Sequence, residues 1–467
     1  MIFSSPIFLF LFFPVCLALY YLPFVKNVKY KNVILLLFSI IYYIYGSYKY
    51  IGILLLSILL NYIIGILINK LKYKKIILTF GIIINIAILV YFKIDGFYGS
   101  SDNLLPLIGP LGISFYTFQE LSYIIDVYRG ITKPQKNIFK YSLYVMLFPQ
   151  LIAGPIVRYE DVAEKLENRK TSFNDFLDGV SLFILGLFKK SVIADSISNC
   201  AFEMFLNKSF SICNSWLGAI FLMFQLYYDF SAYSDMAIGI LKMFGFNNIK
   251  ANFNNPYRSR SINKFWKRWN ISLGNWFNDY ILFPLSNSKI YHKMIKILSV
   301  LFNKKMALKV GNFIVLLIIW ILVGMWHGIG INYLIFGLYY FIFLYLEKIL
   351  RLKKVPRIIS HVYTLLVIMI GTVIFFSYRD SNFIFLKSMF FNVKFVDGRF
   401  FLILTNYKYE LLLATIFILP IQELLRKIIN NKKIYYIVKN TIYICMFLIS
   451  LYFIIVNQEV PFMYFNF

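Results

Sequence analysis

The stretch Ile318-Ile-Trp-Ile-Leu-Val-Gly-Met-Trp-His-Gly-Ile-Gly-Ile-Asn-Tyr333 places His327 at the end of a run that is otherwise apolar. With the residues before it, from about 311, the run has the character of a membrane-spanning helix. An ionisable group at membrane depth costs free energy and is by default a candidate functional residue. The other two histidines, His292 and His361, lie in basic or segment-edge surroundings. The stretch therefore predicts a membrane helix whose histidine is a candidate for proton transfer.

Similar apolar runs recur along all 467 residues, of which 60% are hydrophobic and 20% aromatic. A soluble domain of this length carries more charge. We therefore predict an all-α polytopic membrane protein with about eleven transmembrane helices and short re-entrant or interfacial helices. We expect one integral membrane domain over residues 1–467, with its core motifs in 111–345. The segments 33–46 and 276–285 look too short to cross a bilayer. The candidate spans are 2–24, 33–46, 51–69, 76–92, 111–127, 141–157, 180–198, 215–241, 276–285, 311–326, 331–350, 362–377, 401–424 and 438–457.

The formal net charge of +27 comes from lysines and arginines that collect in short loops between apolar runs. This pattern is typical of cytoplasmic loops facing anionic lipid, and nothing resembles a nucleic-acid-binding module. Loops 26–31 and 70–75 are basic, whereas 93–110 has one lysine. We therefore predict a bacterial cytoplasmic-membrane protein with an extracytoplasmic N-terminus. The first apolar run lacks a basic leader and is expected to be retained.

The four cysteines, at 16, 200, 213 and 445, have neither metal-ligand spacing nor a disulfide pattern. We expect no metal site.

The longest polar insertion, 242–275, mixes seven basic residues with Trp266 and Trp269. One interpretation is an interfacial helix at the level of the headgroups. The other is a cytoplasmic mouth that attracts an anionic donor. Charge patterning does not separate the two.

A second polar cluster, Tyr228-Asp-Phe-Ser-Ala-Tyr-Ser-Asp235, lies inside an apolar run. Asp229 and Tyr233 share one helical face. They could line a tunnel, orient His327 or form interhelical hydrogen bonds that fix the bundle, and a structural or lining role is favoured over direct catalysis. Arg158 could neutralise a phosphate or thioester carrier, or anchor a helix at the interface.

Several segments in order resemble the membrane-bound O-acyltransferase superfamily, in particular its alginate O-acetyltransferase-like bacterial branch. They are residues 3–10, 112–119, 125–130, 148–158, 228–239, 265–273, 325–328 and 461–467. The resemblance implies a multi-helix membrane fold with a central funnel or tunnel. It also implies transfer of an acyl group from a thioester to a hydroxyl, with His327 in place of the family's invariant histidine.

The chain departs from that branch in one region. Asn270 stands where a second histidine is usual, Asn278 replaces an arginine before Asp279, and Ser286-Asn287 replaces a Gly-Gly pair. Because Asn270 replaces it, the family's second histidine has no role in this chain that requires an imidazole.

Acyl transfer to a hydroxyl needs a base for the alcohol proton and stabilisation of the developing oxyanion. His327 could be that base, with Gly324 and Gly328 allowing close approach of another helix. From the residues alone, a structural histidine bonded to a neighbouring helix is equally consistent. The further residues that we assign to substrate binding or tunnel lining are Trp326, Asn332, Asp229, Ser231, Tyr233, Asp235, Arg158, Trp266, Arg268, Trp269, Asn270 and Asp279.

The sequence thus favours a membrane O-acyltransferase with no bound cofactor. The donor would be acetyl-CoA or an acyl carrier, and the acceptor an exported glycan or an extracytoplasmic relay partner. The nearest alternative is D-alanyl transfer to teichoic acid. A glycan or lipid transporter is a further alternative, although transporters usually show internal repeats and none is evident here.

Overall fold

The computed structural model describes residues 1–22, 27–98, 109–206, 211–350, 355–377, 380–456 and 462, and these contain helices and no strand. The helices are α1 Phe13–Tyr20, α2 Val28–Ser47, α3 Ile51–Lys70, α4 Lys74–Tyr98, α5 Ile113–Arg129, α6 Ile138–Met146, α7 Tyr159–Glu167, α8 Phe173–Phe188, α9 Asp195–Leu206, α10 Ile212–Met243, α11 Ile262–Trp266, α12 Ile271–Phe277, α13 Phe283–Ser286, α14 Lys289–Leu301, α15 Lys304–His327, α16 Ile331–Leu350, α17 Arg357–Phe376, α18 Asp380–Ser388, α19 Gly398–Asn406, α20 Lys408–Ile416, α21 Ile421–Ile428 and α22 Lys432–Val456. π-Helical turns occupy Phe8–Phe12, Lys189–Ala194 and Asn278–Leu282.

Within this part of the chain, six helical segments are long and apolar enough to cross a membrane. They are Val28–Lys70, Lys74–Ile94, Lys304–His327, Ile331–Leu350, Arg357–Phe376 and Lys432–Val456. Their outward faces are apolar: on α4, Ile76, Phe80 and Ile83 are each more than half exposed. Exposing such large apolar faces to water would cost free energy, whereas lipid accommodates them. These helices therefore identify a membrane protein, as predicted.

Several predicted spans differ from the structure in their bounds, and three show the physical reason. The predicted segment 33–46 belongs to α2, whose 20 residues reach about 30 Å and are long enough to cross. The predicted helix 141–157 ends at Met146, because Pro149 and Pro155 lack the amide hydrogen that a helix requires. The predicted helix 401–424 is divided into α19, α20 and α21, and Pro420 precedes the last of these.

The chain divides into two compact units. The first unit is Met1–Val192, Asp229–Asn252 and Val438–Phe467, and the second is Ile193–Tyr228 and Phe253–Ile437. The first unit has an aromatic core in which the Phe3 and Tyr233 rings stack at 4.8 Å and Phe12 meets Phe148 edge to face at 5.5 Å. The second unit is built around α15 and α16, which form a helical hairpin.

Close backbone contact sets the α15–α16 hairpin. A Cβ atom on Gly324 would lie 2.3 Å from the Tyr333 carbonyl oxygen, and one on Gly337 would lie 2.2 Å from the Trp320 carbonyl oxygen. Only glycine allows the two helices to approach this closely. This contact brings the N-terminal part of α16 beside the C-terminal part of α15, where His327 lies.

Two predicted features fall mainly outside the described residues. They are the loop 93–110, of which 99–108 are not described, and the closing segment 461–467 apart from Phe462.

Candidate active site

His327 is the last residue of α15 and is 9% exposed. Its imidazole meets three rings edge to face, with centroids 4.5 Å away for Trp326, 4.9 Å for Phe375 and 5.7 Å for Phe336. The Tyr333 ring lies nearly parallel at 6.3 Å. These rings limit access of water, so the imidazole can exchange a proton with a bound hydroxyl in a sheltered site.

Asn332 fixes one wall of these surroundings. Its amide nitrogen donates a hydrogen bond of 2.7 Å to the Phe375 carbonyl oxygen, and the residue is 1% exposed. The bond connects the first turn of α16 to the last turn of α17. Because Phe375 contacts His327, the predicted lining residue Asn332 acts on the site by holding one of its aromatic walls.

Trp266, at the end of α11, belongs to the same aromatic network. Its ring lies 4.8 Å from Tyr340, 5.0 Å from Trp320 and 6.1 Å from Phe336. Phe336 also contacts His327, so a continuous set of rings connects the tryptophan to the histidine.

Trp269 lies in a neighbouring cluster. It stacks on Phe265 at 5.5 Å and meets Phe253 edge to face at 5.1 Å. The Arg268 carbonyl oxygen accepts a hydrogen bond from the Asn254 amide nitrogen at 2.9 Å. The Arg268 side chain is partly exposed. The segment is thus folded back on itself, with Trp269 buried and Trp266 partly exposed.

Asn270 has a left-handed backbone conformation, with φ 42° and ψ 57°, directly before α12. Asparagine and histidine are both enriched in this conformation among residues other than glycine. The departure from histidine therefore keeps the local backbone while removing an imidazole. Asp279, partly exposed, lies in the π-helical turn Asn278–Leu282 that packs against α15.

Two buried ion pairs were missed by the sequence analysis. The Lys190 ammonium lies 2.9 Å from Asp229 with both side chains almost fully buried, and Lys189 lies 2.6 Å from Asp235. Both lysines belong to the π-helical turn Lys189–Ala194. The available signal was a pair of adjacent lysines inside the predicted span 180–198.

The other predicted residues of the first unit have packing contacts. Tyr233 lies between the rings of Phe3, at 4.8 Å, and Phe462, at 5.1 Å. Ser231 is fully buried on α10. The Arg158 backbone precedes α7, and its guanidinium lies 3.6 Å from the Glu160 carboxylate.

The predicted site residues thus belong to two groups. The second unit brings His327, Trp326 and Trp266 into one aromatic network, and Asn332 is hydrogen-bonded to the backbone of its member Phe375. Asp229, Ser231, Tyr233, Asp235 and Arg158 belong to the first unit. Among the described residues, no three His, Cys, Asp or Glu side chains form a group that could hold a metal ion.

Comparison with known proteins gives consistent matches. The sequence profile of the membrane-bound O-acyltransferase family matches residues 132–379. A probable alginate O-acetylase, AlgI, of Pseudomonas syringae pv. tomato is 36% identical over 401 residues, which are 82% of this chain and 73% of that protein. The peptidoglycan O-acetyltransferase of Helicobacter pylori is 32% identical over 379 residues, covering 72% and 68%. The teichoic acid D-alanyltransferase of Bacillus subtilis is 30% identical over 241 residues, covering 50% and 58%.

Proposed function

This chain belongs to the membrane-bound O-acyltransferase family and is an O-acyltransferase, as its motifs predicted, and we propose that it transfers an acetyl group from a cytoplasmic thioester to a hydroxyl of an exported cell-envelope or extracellular glycan. The observation that carries the proposal is the placement of His327, sheltered by four aromatic rings at the end of the α15–α16 hairpin.

His327 acts as the general base in this proposal. As the acceptor oxygen attacks the thioester carbonyl carbon, the imidazole takes the hydroxyl proton and a tetrahedral oxyanion forms. The oxyanion then collapses and the carbon–sulfur bond breaks, the ester remains on the acceptor, and the leaving thiolate takes the proton from the imidazolium, which regenerates the base. No bound cofactor or metal takes part.

The remaining site residues have supporting roles. Trp326, Trp266 and Asn332 shape the aromatic surroundings of His327. We assign the basic insertion, including Arg268, Trp269 and Asn270, to the donor-binding side of the site together with Asp279.

The polar residues of the first unit support a different assignment. Asp229 and Asp235 have lysine partners, which supports the interpretation that they stabilise helix packing or line a tunnel. Tyr233, Ser231 and Arg158 belong with them as lining or packing residues.

Donor and acceptor follow from chemistry and from the relatives' names. Acetyl-CoA or an acyl carrier provides an anionic thioester that the basic segment 258–268 would attract. Two relatives are named for O-acetylation of alginate or peptidoglycan, which supports a glycan acceptor. The acetyl group reaches it directly or through an extracytoplasmic partner.

Membrane placement completes the proposal. The chain crosses the bacterial cytoplasmic membrane about eleven times. Its N-terminus lies outside and its basic loops lie inside. A funnel leads to His327. Residues 1–467 act as one acyltransferase domain. Lysine asymmetry between loops 26–31 or 70–75 and 93–110 supports this orientation.

His327→Ala tests the function. It should lower glycan acylation by about 10²- to 10⁴-fold, the contribution typical of a general base. The assay is acetate released from envelope glycan by mild base, normalised to the protein in the membrane. His292→Ala is the matched control, because His292 is exposed on α14. Acylation by His327→Ala at the wild-type level would overturn the assignment.

D-Alanyl transfer is the second candidate, favoured by the 30% identity to the teichoic acid D-alanyltransferase. An alanyl ester carries an amine and differs in mass from an acetyl ester. Mass spectrometry of envelope polymers from cells with and without the protein therefore separates the two.

A further inference from the structure

The short helix α11 presents the ring of Trp266 to the aromatic network of His327. It has five residues, and isolated helices of that length are unstable. Its first amide N–H groups also have no partner within the helix. Its position must therefore be fixed by contacts from elsewhere.

Glu347 of α16 provides this contact. Its carboxylate accepts hydrogen bonds from the Ile262 amide nitrogen at 2.5 Å and from the Asn263 amide nitrogen at 3.1 Å. A carboxylate at the N-terminus of a helix forms charge-assisted hydrogen bonds and interacts favourably with the positive end of the helix dipole.

The same face of α16 reaches the site. Tyr340 lies seven residues before Glu347 and packs against Trp266 at 4.8 Å. Phe336 lies a further turn back and contacts His327 at 5.7 Å. Residues with this spacing share one side of a helix. One helix therefore contacts α11 and also supplies a wall of the histidine site, the ring of Phe336.

A second contact holds the segment that precedes α11. His361 of α17 donates from Nδ1 to the Ser259 carbonyl oxygen at 2.9 Å. Ser259 and Ile262 are thus held from two helices, α17 and α16.

We propose that Glu347 is a positioning residue for acyl transfer: it binds the N-terminus of α11 and thereby keeps Trp266 in the aromatic wall beside His327. The proposal rests on the proposed function for its kinetic effect. The hydrogen bonds themselves can be tested without activity.

Three variants form the test: Glu347→Ala, Glu347→Gln and the control Glu423→Ala, which removes an exposed acid of α21 in the same unit. Hydrogen exchange of a peptide covering 259–268 should speed up in Glu347→Ala and much less in Glu347→Gln, because the amide oxygen still accepts a hydrogen bond. At equal amounts of folded protein, kcat should fall at least tenfold in Glu347→Ala and less in Glu347→Gln. Glu423→Ala should match the wild type.

Each contrary result has a distinct meaning. Unchanged exchange in Glu347→Ala would overturn the contact, and faster exchange with wild-type kcat would overturn the positioning role. A loss of kcat that only follows a loss of folded protein would reduce Glu347 to a structural residue and overturn the proposal. If wild type shows no acyl transfer, the proposed function fails while the exchange result still decides whether Glu347 holds α11.

Discussion

Replacing Lys190 with methionine should leave the carboxylate of Asp229 without its lysine partner inside the first unit. The two groups lie 2.9 Å apart, and their side chains are 0% and 1% exposed. Removing one member of a fully buried pair typically costs about 3–5 kcal/mol, because the remaining charge stays buried and loses its oppositely charged neighbour. We expect a loss of unfolding free energy in that range.

Two other ion pairs of the first unit are more exposed, so we expect the loss of stability to fall as the exposure of the pair rises. Lys189 and Asp235 are 11% and 15% exposed, so Lys189→Met should cost less than Lys190→Met. Lys140 and Glu167 are 19% and 52% exposed. An exposed pair contributes about 0–1 kcal/mol, so Lys140→Met is the matched control.

The assay is equilibrium unfolding in mixed micelles, followed by helical circular dichroism. A double-mutant cycle with Lys190→Met and Asp229→Leu isolates the pair from the contact of Lys190 with the Phe462 ring, which lies 4.4 Å away. The double variant should recover most of the stability lost by either single variant. Additive losses in the double variant, or a Lys190→Met cost equal to that of Lys140→Met, would refute the reasoning.

Two further substitutions test the second unit. Asn270→Ala should reduce stability by about 1 kcal/mol, because alanine tolerates the left-handed conformation poorly, and its turnover loss should be far smaller than that of His327→Ala. Asn270→His should be tolerated. If Asn270→Ala were as inactive as His327→Ala at equal abundance, Asn270 would belong to the reacting centre. Gly324→Ala should destabilise by about 1–3 kcal/mol, because its Cβ would lie 2.3 Å from the Tyr333 carbonyl oxygen. Gly52→Ala, with no atom within 4 Å of the added Cβ, should be neutral in the same thermal melts, and equal effects at the two glycines would contradict the close-contact argument.

The candidate site could be proposed from the sequence because its signals are local. His327 stands out as an imidazole at the end of an apolar run, and Gly324 indicates a close helix contact one turn earlier. The tryptophans of 265–273 were recognised as a motif. Their contacts were not predictable, because periodicity does not say that Trp266 meets Tyr340 or that Phe375 covers His327.

Charge was harder to interpret. Asp229 was recognised as a polar residue in an apolar run, but Lys190 was overlooked because it lies 39 residues earlier in another predicted span. Arg158 attracted attention as a possible anion-binding residue, which stays a prediction, and its neighbour Glu160 at 3.6 Å was not anticipated.

The sequence alone determined that this is a helical membrane protein of the O-acyltransferase family with one candidate base. Apolar length, loop charge and ordered motifs are properties of short segments, and a helix closes its hydrogen bonds within four residues. The tertiary structure decided which groups meet across the chain: Asn332 with Phe375 at a separation of 43 residues, and Glu347 with Ile262 at a separation of 85. Such contacts form because buried polar groups must find partners once water is excluded, and only the packing of the helices decides which partners come within reach.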